Sequence, residues 1–316
     1  FLGVFGTYCD DTGCDDADGD GICDDEDNCS SDLVFDQSRG ECNDLLPILS
    51  HFTMEIVGQH RIITSNSIPN HMVGLFGQGS GSLNPHLITP QNESYAIPFN
   101  PSLSQSLTPL LSTSGPDTGP TYSFGIMLNG VEFDPVAAEP FPHTGNINDP
   151  NTNWEWNKEA LNVNLGLDCN GGHVNENGEY HYHAIPTYYF ENLPLPTNQM
   201  SLVGYAADGF PIYYKYAHED PLDPNSPIID MVSSYKLKTG TRPGDGITAP
   251  CGQYNGVYSN DYEYENGLGT LDEANGRYGI TPDFPGGTYY YILTDEFPGI
   301  PRYFKGNPSI DFKLGM

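Results

Sequence analysis

The residues best equipped for chemistry are three imidazoles, because residues 173–183 read His-Val-Asn-Glu-Asn-Gly-Glu-Tyr-His-Tyr-His. Asn177-Gly178 is a strong hairpin signal, since both central positions of a two-residue type I′ turn need positive φ. Beyond it, Tyr180 to His183 reads as a strand, so His181 and His183 share one face and Tyr180 and Tyr182 the other. His173, before the turn, closes a set of three nitrogens. Adjacent imidazoles resist being charged together, and a metal removes that conflict by taking the neutral nitrogens. Imidazole ligands suit copper, zinc, nickel or iron. With no cysteine pair at zinc-finger spacing, copper (Cu) is the first expectation and zinc (Zn) the alternative. His71, in the Pro69-Asn70-His71-Met72 loop, is the candidate fourth ligand. His51, His60, His86, His143 and His218 stand in loop-like or acidic surroundings and read as solvated. Asp208 is a candidate partner for an imidazole N–H, but Asp208-Gly209 is also good turn chemistry, and the turn role is preferred.

Strands are expected to hold these residues in place. Gly (36), Pro (27) and Tyr (21) are abundant while only 17% of the 316 residues are charged, so the expected fold is mainly β with long ordered loops. Phe52 to Val57 and Arg61 to Thr64 alternate as an opening hairpin. Tyr122 to Phe133 reads as a strand pair around Asn129-Gly130, and Tyr205 to Tyr214 as another around Asp208-Gly209. Trp154 to Leu161, with Lys158, Glu159 and Ala160, is the best short helical candidate. Two segments echo each other: Leu167-Asp168 leads through Gly171-Gly172-His173 to Tyr180-His181-Tyr182-His183, and Leu271-Asp272 leads through Asn275-Gly276-Arg277 to Tyr289-Tyr290-Tyr291-Ile292. They predict two related hairpin units around a pseudo-twofold, with Asp168 and Asp272 capping their turns. Tyr290 and Ile292 replace the imidazoles in the second unit, so only the first is a metal candidate.

The acidity is concentrated at the start. Residues 1–44 hold 14 of the 42 acidic residues and one of the 11 basic ones, Arg39, within a net charge of −31. Asp16, Asp18, Asp20, Asp24 and Asp27 are spaced D-x-D-x-D-G-x-x-D-x-x-D, the order of a calcium loop, with Gly21 at the sharp turn and the Ile22 carbonyl as the seventh-position oxygen. The string, closed by Asn28-Cys29, resembles a thrombospondin type 3 repeat, which implies bound Ca2+ without flanking helices. Residues 1–46 are therefore expected to form a calcium-binding, disulfide-stapled spacer, and residues 47–316 one β-rich domain. Five cysteines crowd the spacer (Cys9, Cys14, Cys23, Cys29 and Cys42), while Cys169 and Cys251 stand alone in the body and are the natural pair there. Such usage points to an oxidising compartment, hence secretion or the cell surface. Cys9 is a candidate lipid anchor, although Gly6-Thr7-Tyr8 departs from a lipoprotein cleavage box.

The charge argues against nucleic acid as a partner, and no apolar run approaches the ~20 residues that span a bilayer. No G-x-S-x-G elbow, phosphate-cradling loop or H-E-x-x-H helix is present. The string Gly178-Glu179-Tyr180-His181-Tyr182-His183-Ala184-Ile185-Pro186 resembles the motif of the YHYH domain family of secreted bacterial proteins. Ser65 to His71, Asn129 to Pro135, Gly204 to Tyr213 and Leu271 to Thr281 extend the resemblance over residues 50–300. It implies an exported β-rich domain rather than a reaction. Three functions remain open: an exported protein holding copper or zinc, a metal-dependent extracellular enzyme with an open coordination position, and an accessory or adhesive subunit of a cell-envelope complex.

Overall fold

Asn129-Gly130, Asn177-Gly178 and Asp208-Gly209 each turn a hairpin, although the turns are one residue longer than the two-residue reading. The computed structural model describes residues 39–115 and 118–315. Strand β1 (Phe52–Val57) pairs with β2 (His60–Ser65), and β2 with β3 (Glu93–Pro98), in a three-stranded antiparallel sheet. The next hairpin joins β4 (Gly125–Met127) to β5 (Glu132–Phe133), where Gly130 has φ +85° and the Gly130 N–H donates to the Met127 carbonyl. Strand β6 (Asn153–Asn157) occupies the predicted helix. Its Trp-Glu-Trp run alternates buried and exposed, and the Asn157 amide binds the Ala137 carbonyl (2.8 Å) and the Glu139 N–H (3.0 Å). Lys158-Glu159-Ala160 yields only a single 3₁₀ turn, Ala160–Asn162. The β period of the two tryptophans thus overrides the local helix propensity.

The histidine hairpin follows as β7 (Gly172–Val174) and β8 (Tyr180–Tyr182), with His173 directly opposite His181. Its loop is closed by the Asn175 N–H to Glu179 carbonyl bond, and Gly178, at φ +84°, is the positive-φ residue that a three-residue loop needs. A Cβ on Gly178 would lie 2.1 Å from Thr89 Oγ1, so only glycine fits. A short helix, α1 (Thr187–Asn192), leaves β8 through Pro186. Strands β9 (Leu202–Ala206) and β10 (Pro211–Tyr214) form the Asp208-Gly209 hairpin, and β11 (Gly276–Gly279) and β12 (Thr288–Leu293) form the second echo unit.

These eight strands make one curled sheet in the order β7-β8-β5-β4-β9-β10-β12-β11. Read outward from the antiparallel β4/β9 centre, both halves repeat one plan. A hairpin comes first, and the second strand of an echo unit then lies parallel to it, as β8 on β5 and β12 on β10. The expected pseudo-twofold therefore runs between β4 and β9. Each unit is held at its entry by one carboxylate. Asp168 Oδ1 accepts from the Asn170 N–H (2.9 Å), the Gly172 N–H (3.3 Å) and the Tyr180 hydroxyl (3.1 Å). Asp272 Oδ1 accepts from Ala274 (3.0 Å), Gly276 (3.2 Å) and the Tyr289 hydroxyl (2.8 Å). Between the sheets lies an aromatic core in which Phe124, Phe133, Tyr180, Tyr182, Tyr291 and Phe304 are fully buried. Each such side chain contributes about 1.5–3 kcal/mol by leaving water.

The expected Cys169–Cys251 bridge is not formed. Cys169 is bonded to Cys42, and Cys251 is disulfide-bonded to a different partner. The Gly40 N–H to Leu167 carbonyl bond (2.9 Å) and the Asp44–Val73 bridge draw residues 40–44 alongside the entry of the histidine hairpin, which brings Cys42 rather than Cys251 within reach of Cys169. The proposed calcium ligands Asp16, Asp18, Asp20, Ile22, Asp24 and Asp27, with Cys9, lie outside the described residues. Among the described residues no helix is long and apolar enough to cross a membrane.

Candidate metal centre

The β7/β8 register sets His173 and His181 side by side, and the strand period adds His183 on the same face. The three Nε2 atoms form an equilateral triangle, each 3.1 Å from the other two. The rings meet edge to face, with centroids 4.8 Å apart and interplanar angles of 64–80°. His181 and His183 are buried and His173 is half-buried. Among the described residues these are the only three metal-ligating side chains gathered closely enough to hold one ion.

The far side of each ring determines what the Nε2 atoms present. His173 Nδ1 sits 2.8 Å from the Leu165 carbonyl. A carbonyl only accepts, so Nδ1 carries the proton and Nε2 is left with a lone pair. His181 makes a backbone hydrogen bond with Glu179. The Asp134 carbonyl lies close to His183, although His183 Nδ1 meets no partner in hydrogen-bonding geometry. All three imidazoles are held neutral. Burial, followed by the neighbouring His173, lowers His181 to about 3. Burial, then His181 and His173, pushes His183 down as well, and burial lowers His173.

Carboxylates flank the imidazoles. The parallel β8/β5 register places Glu132 beside His181, and the Asp134 N–H donates to the Tyr182 carbonyl (2.8 Å), which sets Asp134 beside His183. Burial first, then Glu179, raises both Glu132 and Asp134, the latter to about 7. Asp134 Oδ1 is buried with no hydrogen-bond partner among the described residues. Sequence reasoning missed this flank because a parallel pairing between segments 50 residues apart has no local signature. Its one trace was Asp134 itself, in the Asn129 to Pro135 stretch.

Other candidates lie elsewhere. His71 is not a ligand, because it packs on the opposite face, against Tyr180 and Tyr182. Its Nδ1 meets the Met72 carbonyl (2.8 Å) and its Nε2 the Tyr182 hydroxyl (2.5 Å), so both nitrogens are occupied. Asp208 belongs to the second echo half, where it accepts from the Tyr291 hydroxyl (2.6 Å) and the Gly306 N–H (2.8 Å), a structural role. His143 is half-buried rather than solvated, stacked on Tyr258 with Nε2 2.8 Å from its hydroxyl. The second unit shows the same backbone without the site. Arg277 stands for His173 and Tyr290 for His181, and Arg277 Nε donates to the Tyr290 hydroxyl (2.7 Å).

The YHYH protein family profile matches residues 94–306, a span that holds all three histidines and both echo units. The chain belongs to the YHYH family. Neither the curated proteins nor the solved structures contain a match to it. The tetrapeptide behind the family's name is here Tyr180 to His183, and the geometry divides its labour. The tyrosines of the YHYH strand are core pillars bonded to Asp168 and Asn129, while its histidines face His173 across the hairpin.

Proposed function

We propose that this YHYH protein is an exported metal-binding protein that holds one copper ion, or alternatively zinc, through Nε2 of His173, His181 and His183. The single observation that carries the reading is the Nε2 triangle of 3.1 Å sides. Three neutral rings whose Nδ1 sides face backbone oxygens would aim three lone pairs at one another, an arrangement that a cation relieves. A point about 2.0–2.1 Å from all three nitrogens exists, about 1 Å out of their plane, with N–metal–N angles of about 98°. Such a three-sided set suits imidazole-binding metals. Burial favours the neutral acids of Glu132 and Asp134 beside it, and a bound cation would favour their ionised forms.

Disulfide bonds at Cys42, Cys169 and Cys251 support an oxidising, extracytoplasmic location. The thrombospondin-like acidic string supports structural calcium in the spacer, with Cys9 as a point of lipid attachment. The test is metal uptake by the full chain with millimolar calcium present. Wild type should retain one equivalent of copper or zinc after dialysis, and the His181→Ala, His183→Ala double variant none. Equal retention by both proteins would end the assignment.

A metal-dependent enzyme is the second reading, favoured by one observation. His183 lines a cavity of about 290 Å³ that also exposes Glu159 and Arg302, so a small substrate would have room beside the histidine centre. Metal-dependent turnover on a panel of ester, phosphate and oxidisable substrates, absent from the double variant, would support it. Full metal loading without any turnover would leave the binding protein.

A further inference from the structure

A second, larger cavity of about 450 Å³ lies outside the histidine centre, within the ~300–1,000 Å³ that small-ligand sites occupy. Four half-buried rings converge on it from separate segments. Tyr235 and Tyr262 come from the paired strands Tyr235–Leu237 and Tyr262–Tyr264, Tyr303 from the strand Tyr303–Phe304, and Phe297 from the loop between. Tyr262 and Phe297 are stacked with centroids 3.9 Å apart and planes within 2°, and Tyr235 meets Phe297 edge to face at 5.4 Å. The fold fixes these rings without burying them, so they offer a rigid, partly wetted aromatic wall.

The polar atoms of the wall narrow what it can hold. Arg302 is already neutralised, because it donates to Glu159 at 2.7 Å and to the Ile300 carbonyl at 2.5 Å. Glu159 in turn accepts from Ser259 Oγ at 2.5 Å. The uncompensated charge on the rim is the exposed carboxylate of Glu155, on a chain of net charge −31. A polyanion is therefore disfavoured. The hydroxyls of Tyr262 and Tyr303 have no hydrogen-bond partner among the described residues, and burial raises both, Tyr262 to about 12, so they stay protonated donors. Asn260 gives its side-chain oxygen to Lys238 Nζ (3.1 Å) and keeps amide donors for the cavity.

Planar faces for ring C–H groups, neutral donors for hydroxyl oxygens and no free cation describe a ligand with an apolar ring face and a hydroxyl-rich edge. We infer that this aromatic cleft binds a neutral saccharide chain, stacking sugar rings on Tyr262 and Tyr303 while their hydroxyls and Asn260 hydrogen-bond to it. The cleft shares Tyr262, Phe297 and Arg302 with the cavity beside His183, so a chain bound there runs toward the histidine centre. The site stands whether or not that centre holds a metal.

The experiment is affinity electrophoresis of the full chain in native gels cast with xylan, glucomannan, mixed-linkage β-glucan or amylose, and with alginate as the anionic comparison. At least one neutral polysaccharide should retard the protein, and alginate should not. Tyr262→Ala and Tyr303→Ala should each weaken retardation roughly tenfold, the loss of one aromatic stacking contact. Tyr303→Phe, which removes only a hydroxyl and preserves packing, should weaken it by a smaller factor. The His181→Ala, His183→Ala variant should be retarded like wild type, which separates failure of the metal reading from failure of this one. No retardation by any neutral polysaccharide, retardation by alginate alone, or retardation unchanged in folded Tyr262→Ala and Tyr303→Ala would each overturn the proposal.

Discussion

Asp168 offers the sharpest test of how the histidine hairpin is held, and Asp168→Ala is the perturbation. The side chain is fully buried. Four donors converge on it: the Asn170 N–H at 2.9 Å, the Gly172 N–H at 3.3 Å, the Gly74 N–H at 3.0 Å and the Tyr180 hydroxyl at 2.9 Å from Oδ2. Hydrogen bonds to a charged group contribute about 1.5–3 kcal/mol each, and an orphaned buried donor carries a similar penalty. The four share one short loop and are not additive, so the expected loss is about 4–5 kcal/mol, at the upper end for a point substitution. Asp168→Asn keeps Oδ1 as acceptor for its donors but turns an amide toward the Gly74 N–H, for a loss of about 2–3 kcal/mol. Asp272→Ala removes the equivalent anchor of the second unit, where the carboxylate is 31% exposed and bonded to Lys305. Water replaces part of its hydrogen bonding, and about 2 kcal/mol is expected. Urea unfolding followed by tyrosine fluorescence gives all three values from shifts in midpoint at constant slope. An Asp168→Ala loss below that of Asp272→Ala would refute the anchoring argument.

Four further outcomes follow from the same contacts. Zinc or copper at about 100 times its dissociation constant should stabilise the metal-free protein by about 2.7 kcal/mol, measured by urea midpoint in excess calcium, with no effect on the His181→Ala, His183→Ala variant. Burial lowers His71 to about 4, so its contribution to stability is complete above the unfolded value near 6.5 and is lost as pH falls toward 4. His71→Gln should flatten the stability–pH curve by about 2 kcal/mol between pH 6.5 and 4.5, and an unchanged curve would contradict the burial argument. Tyr182→Phe strands the Asn129 amide and His71 Nε2, which the hydroxyl bonds at 2.9 and 2.5 Å, and should lower the unfolding midpoint by about 1–3 kcal/mol. Replacing Cys42 and Cys169 by serine opens a link spanning 127 residues and should remove up to about 5 kcal/mol, read by thermal unfolding without reductant.

Local signals were legible in the sequence and long-range ones were not. The Asx-Gly hairpins and the two echo units follow from strand alternation and turn chemistry, and the equivalence of His181 with Tyr290 was visible by alignment within the chain. The turn class was not, because Asn129, Asn177 and Asp208 stay at negative φ and only the following glycine crosses over. Trp154 to Asn157 became a strand because two tryptophans two residues apart need one buried face, a demand stronger than the helix preference of the residues after them. The Cys42–Cys169 bridge, the placement of His71 beneath Tyr182 and the Asp134 flank all depend on which distant segments meet. Periodicity carries no record of that.

Capture of one ion by three imidazole nitrogens is directly countable. Elemental analysis of the protein purified from its native host, without added metal and without chelator, tests it most directly. One copper, or one zinc, per chain is expected beyond any calcium, and none in protein carrying His181→Ala and His183→Ala. Wild-type protein with calcium alone, and no transition metal even after saturating exposure and dialysis, would contradict it.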